Sequence, residues 1–125
     1  MFDPAWPEYD MALRLGEVYL IRAEARLSLG DLAGAAADLN VVRSRANLPA
    51  VTATDSAGLM TALRHERQVE LMVEWGLRWL DLKRMGIADA VLGAEKPTWV
   101  STAVLWPIPA TELVNNPALV QNKGY

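Results

Sequence analysis

Between residues 66 and 86 the sequence sets Glu66, Glu70, Glu74 and Arg78 four positions apart and runs Leu71, Trp75 and Trp79 beside them at the same spacing. Four-residue spacing stacks side chains on one face of a helix, so the two rows form parallel stripes. The apolar stripe is driven into a core, and burying it draws the neighbouring charges partly out of water. Charges withdrawn from water need partners, or their desolvation goes uncompensated. The stretch therefore encodes a specific packed architecture. Its centre is expected to be a structural charge network of Glu66, Arg67, Glu70, Glu74, Arg78 and Asp81, with Arg67, Arg78 and Arg64 pairing with Glu70, Glu74 and Asp81. Such a network fixes one packing register more than it adds stability.

The rest of the chain reads as helices around this stretch. Met11, Leu15, Tyr19, Ala23 and Leu27 recur every four residues, which predicts a first helix over 11–29. Gly30 stops it, and Asp31 caps a second helix over 32–45, where Leu32, Ala36, Leu39 and Val42 share a face and the intervening alanines permit close approach. The two should form a tight antiparallel hairpin. Tyr19, Ala23, the Gly30-Asp31 turn and the small residues Ala35 and Ala36 have the spacing of one tetratricopeptide-like pair. Only one such unit is visible, and a single repeat cannot bury both its faces, so other residues or a partner must cover it. A third helix is expected over 56–74. Gly76 breaks or bends it, and a shorter helix follows over 77–84 and stops at Gly86. Beyond residue 94, Pro97, Pro107, Pro109 and Pro117 make the chain mostly irregular, with a short helix over 110–115 and an extended piece over 102–105.

The expected fold class is all-α: the tetratricopeptide-like hairpin (11–46), a third long helix with a bent extension (56–85), and a proline-rich C-terminal segment (94–125) wrapping back across them. At 125 residues the chain is a single domain by length, able to bury roughly two-thirds of the surface its unfolded form exposes. Nine Arg and three Lys are interleaved with 15 acidic residues for a net charge of −3, which argues against a nucleic-acid partner. The absence of cysteine excludes disulfides and thiolate metal sites within these residues. No apolar run approaches the roughly 18 residues of a membrane span, and the first residues lack the pattern of a secretion signal.

Catalysis finds no foothold, and no enzyme activity or cofactor is expected. Glu66, Glu70 and Glu74 lie side by side, whereas glycosidase carboxylates converge from two sides of a sugar ring. His65 is the single histidine and has no second ligand at metal-site spacing, so no metal is expected. Phosphate loops and serine-nucleophile elbows are also missing. Of the five tryptophans, Trp75, Trp79 and Trp106 sit in core-like contexts. Trp6 and Trp99 lie in proline-containing irregular segments, and Trp99 is the best candidate for an exposed glycan platform, with Trp6 second.

Two blocks together resemble the C-terminal region of the SusD/RagB family of outer-membrane nutrient-binding lipoproteins. The first is Arg64-His65-Glu66-Arg67, Glu70-Leu71, Glu74, Gly76, Arg78-Trp79, Asp81-Leu82, Arg84 and Gly86. The second is Leu105-Trp106-Pro107-Ile108-Pro109, Glu112, Asn116-Pro117, Leu119 and Gln121-Asn122-Lys123-Gly124-Tyr125. Lys123 stands where this family commonly has a proline, and the chain is several times shorter than its members usually are. The resemblance implies a parent protein at the cell surface, on the outer membrane, capturing oligosaccharides for a TonB-dependent transporter in polysaccharide utilisation. It implies that the anchor cysteine and the usual glycan contacts lie outside this chain. The rival expectation is a protein-interaction module, with the hairpin face around Tyr19, Arg22 and Arg26 gripping a peptide or a second copy as a homo-oligomer.

Overall fold

A computed structural model of the chain describes residues 12–125; Met11 and Trp6 fall outside the described residues. Among the described residues six α-helices follow in order: α1 (Leu15–Ser28), α2 (Leu32–Arg45), α3 (Ser56–Glu70), α4 (Leu77–Arg84), α5 (Ala88–Glu95) and α6 (Ala110–Asn115), with a 3-10 turn at Ser101–Val104. No strand occurs among the described residues. The chain divides into two compact units, one ending at Glu74 and one beginning at Trp75.

In the first unit α1 and α2 are joined by Gly30, whose φ of 81° suits a residue without a Cβ. Asp31 then caps α2 by accepting the Gly34 N–H at 2.9 Å. The start of α1 at Gly16 lies against Arg45 at the end of α2, so the helices run antiparallel. Fully buried Ala23 and Ala35 let them approach closely, and Leu20, Leu39, Leu59 and Leu63 fill the space between them and α3. Each such leucine contributes about 2 to 3 kcal/mol relative to exposure. Asp55 caps α3 through the Gly58 N–H at 2.7 Å.

Several boundaries differ from the expected ones. The first helix begins at Leu15, with Arg14 extended before it, and is shorter than the periodicity suggested. The third ends at Glu70 instead of continuing to Glu74. The chain then takes left-handed conformations at Val73 (φ 64°), Trp75 (φ 45°) and Gly76 (φ 71°), which no helix can contain. The expected extended piece over 102–105 is largely the 3-10 turn, and α5 had no counterpart among the expected elements.

In the second unit Leu82, Ala88 and Leu92 form a small core with Trp79, Ile87, Val91, Trp99 and Val104 packed against it. The C-terminal residues are tied to the proline-rich segment. Pro107 and Pro109 have no N–H, so Ile108 is the single backbone donor of that tripeptide. Gln121 satisfies both its backbone groups, accepting the N–H at 2.8 Å and donating to the carbonyl at 2.9 Å. Asn122 donates to the Trp106 carbonyl at 2.6 Å, and the Tyr125 hydroxyl to that of Leu105 at 2.9 Å. Gly124 lies so close to Thr102 that an added Cβ would come within 2.6 Å of it, so the residue must be glycine for the segment to close.

Candidate functional site

The acidic side chains of α3 are met by Arg14, just before α1, and by arginines of α2. Glu70 receives Arg14 at 2.7 Å and Arg45 at 2.6 Å on each of its oxygens. Its carboxylate lies over the bare Cα of Gly16. Arg14 also bonds Glu74 at 3.0 Å through Nε and donates to the Glu70 carbonyl. Glu66 is buried and paired with Arg43, which donates in addition to the Pro49 carbonyl at 2.7 Å. Arg67 is buried as well. Burial pushes the Glu70 carboxyl pKa up, but the hydrogen bonds from Arg45 and Arg14 outweigh it and hold the group below its ordinary value.

A second cluster, not singled out by the sequence, ties α1 to α2. Asp38 is 2% exposed and accepts from Arg22 at 2.9 and 2.7 Å and from Arg26 at 2.8 Å. Arg22 also lies 5.1 Å from the centre of the Tyr19 ring. The Arg22 hydrogen bond, with Arg26 adding to it, lowers the Asp38 pKa against the opposing effect of burial. Both arginines expected to face a partner are thus engaged within the hairpin. The Arg22 side chain nevertheless stays 53% exposed, and Leu15, Val18 and Ile21 of α1 are exposed as well.

In the second unit Arg78 meets Glu95 at 3.6 Å, and Asp81 accepts from Arg84 at 2.8 Å. Three of the tryptophans gather there around a cleft of about 440 Å³, lined by Trp79, Trp99, Trp106, Leu82, Leu92, Arg78 and Lys96 among others. Trp79 and Trp99 stand edge to face, 6.2 Å apart and inclined at 71°. The Trp99 indole N–H donates to Asp89 at 2.8 Å, and Lys83 lies 5.4 Å from the centre of the Trp79 ring. Trp99 is half-buried, as is Trp79. Trp75 and Trp106, expected in the core, are 64% and 73% exposed: the helix that would have turned Trp75 inward has already ended, and Trp106 lies on the cleft.

His65 is exposed. Among the described residues no group of three or more His, Asp or Glu is placed to hold a metal ion, and no helix is long and apolar enough to cross a membrane.

Solved structures share this fold. A SusD superfamily protein from Bacteroides vulgatus superposes with a TM-score of 0.77 at 30% identity, over 91% of this chain and 27% of its own. A SusD-like protein from Bacteroides fragilis gives 0.75 at 34%, over 90% and 25%. The class is therefore the all-α architecture of SusD-like proteins. The sequence profile of the SusD family matches residues 6–98, and the chain belongs to that family. It is 33% identical to the starch-binding protein SusD of Bacteroides thetaiotaomicron over 96% of this chain and 22% of that protein. It is 31% identical to the SusD-like protein P38 of Formosa agariphila over 90% and 24%. The chain thus spans about a quarter of the length of these relatives.

Proposed function

We propose that this chain is the C-terminal structural part of a surface lipoprotein that captures oligosaccharides and hands them to a TonB-dependent transporter of the outer membrane. The observation that carries the reading is the 33% identity, over 96% of the chain, to a protein named for starch binding. The internal chemistry agrees with a scaffold that binds and does not turn over. Glu66, Glu70 and Glu74 are each engaged by arginines, as carboxylates that fix a packing register are, and a glycosidase would need two of them facing across a sugar. The contacts that give neutral oligosaccharides their affinity lie in the sequence beyond this chain.

The test compares this chain with a longer one that includes upstream sequence, using calorimetric titration with neutral oligosaccharides such as maltoheptaose and xylan and mannan fragments. Binding by the longer chain alone supports the scaffold reading. Equal binding by the short chain overturns the scaffold assignment, and binding by neither across the panel overturns glycan capture.

A further inference from the structure

We infer that the cleft of the second unit is a binding site for an acidic sugar residue, a pyranose carrying a carboxylate or sulfate; the inference rests on the glycan-capture reading. The volume, about 440 Å³, falls in the range of small-molecule sites. Trp106 offers an exposed indole on its lining, a flat apolar surface of the kind on which the C–H face of a pyranose packs. Two of the indoles are held in place before any ligand arrives, since Asp89 anchors the Trp99 N–H and Trp99 abuts Trp79; at Trp106 Asn122 fixes the backbone carbonyl. Such preorganisation lowers the ordering cost of binding.

Charge then sets the class of sugar. The charged residues of the lining are two cations, Arg78 and Lys96, and no acid. Glu95 approaches Arg78 at 3.6 Å from outside that lining, a loose contact with both side chains partly exposed. Lys96 is exposed and has no acidic partner among the described residues. A neutral sugar would leave both cations unused, whereas a carboxylate or sulfate on the ring meets them beside the aromatic platform.

The test is titration of this chain, followed by tryptophan fluorescence, with an oligogalacturonate, its fully methyl-esterified form and a sulfated oligosaccharide. The acid should bind about tenfold tighter than the ester at low salt, since a partly exposed ion pair is worth roughly threefold to fivefold and two cations contribute. The preference should shrink at high salt. Lys96→Met should reduce the acid-to-ester ratio about threefold to fivefold, and Trp106→Ala should weaken both. Comparing the uronate and sulfate arms tells which anion is preferred. Equal binding of acid and ester, or an unchanged ratio in Lys96→Met, overturns the acidic-sugar inference and leaves glycan capture standing. Failure of this chain to bind any of the three overturns the cleft as a sugar site, while capture by the longer chain is judged separately.

Discussion

Gly16 and Gly93 both lie inside α-helices, and replacing each with alanine should move stability in opposite directions. Alanine is favoured over glycine in a helix by up to about 1 kcal/mol. At Gly93 the nearest atom to an added Cβ is Trp99 Cδ1 at 3.8 Å, an ordinary contact, so Gly93→Ala should stabilise by about 0.5 to 1 kcal/mol. At Gly16 the added Cβ would lie 2.5 Å from Glu70 Oε1 and 3.2 Å from Glu70 Cδ, with Arg45 Nη1 at 3.5 Å. The carboxylate must move away, and its contacts with Arg14 and Arg45 move with it. Hydrogen bonds to charged groups contribute about 1.5 to 3 kcal/mol. The Arg45 contribution is discounted for solvent screening, because that side chain is 57% exposed. Losing chiefly the Arg14 bond, about 2 to 3 kcal/mol, against a helical gain of up to about 1, leaves Gly16→Ala destabilised by about 1 to 2 kcal/mol. In a Glu70→Ala background the obstacle is gone and the same change should stabilise, which gives a coupling of about 2 kcal/mol or more. Urea unfolding of the native chain, Gly93→Ala, Gly16→Ala, Glu70→Ala and the double variant, followed by far-UV circular dichroism, measures the two shifts and the coupling. A stabilising Gly16→Ala in the native background, or a coupling under about 0.5 kcal/mol, would refute the placement of the Glu70 carboxylate over Gly16.

The remaining predictions concern acid and the C-terminal tie. Asp38 and Glu70 both have folded pKa values below their ordinary ones, so they bind protons less readily folded than unfolded. They contribute stability above the unfolded carboxyl range, about pH 4, and that contribution fades as pH falls through the depressed folded values. Asp38→Asn should therefore lower stability at neutral pH and flatten its decline in acid, and an acid slope equal to that of the native chain in a urea series would count against the pairing. Gln121→Leu keeps the side chain's bulk but leaves the Ile108 N–H and carbonyl without their partner. It should cost about 1 to 2 kcal/mol, two neutral hydrogen bonds, and a thermal melt showing no change would refute that role.

Local signals located some elements well. Gly30 and Asp31 punctuate the chain by their own chemistry, and α2 runs over Leu32–Arg45 as they imply. The short helix at Ala110–Asn115 likewise follows the proline before it. Helix α5 gave no such warning. Its N-cap is Ile87, which makes no side-chain cap bond, and its eight residues include Gly93, so no start signal marks it, and the four-residue spacing of Ile87 with Val91 and of Ala88 with Leu92 covers little more than one turn. The end of α3 was misplaced for the opposite reason: the stripe through Leu71 and Trp75 continues the helical period past the true boundary. Left-handed backbone at Val73 and Trp75, costing about 1 kcal/mol or more per residue, ends the helix at exposed positions and leaves no mark in local composition.

The same break explains which part of the candidate site could be read from spacing. Glu66 and Glu70 lie within α3, where a four-residue count does place them on one face. Their arginine partners come from elsewhere, Arg14 standing 56 residues and Arg45 25 residues from Glu70, and only the packing of α1 and α2 against α3 brings them together. Counting from Glu70 to Arg78 or from Leu71 to Trp79 crosses the turn at 71–76, where the helical phase is lost. The tryptophans of the second unit therefore carry no phase from α3: Trp75 is left exposed, and Trp79 packs with Trp99 on the cleft. Chemistry there depends on which side chains α4, α5 and the tied C-terminal segment bring to one surface. Arg78 and Lys96 become neighbours of three indoles through that folding alone, although they stand 18 residues apart, Arg78 in α4 and Lys96 at the end of α5.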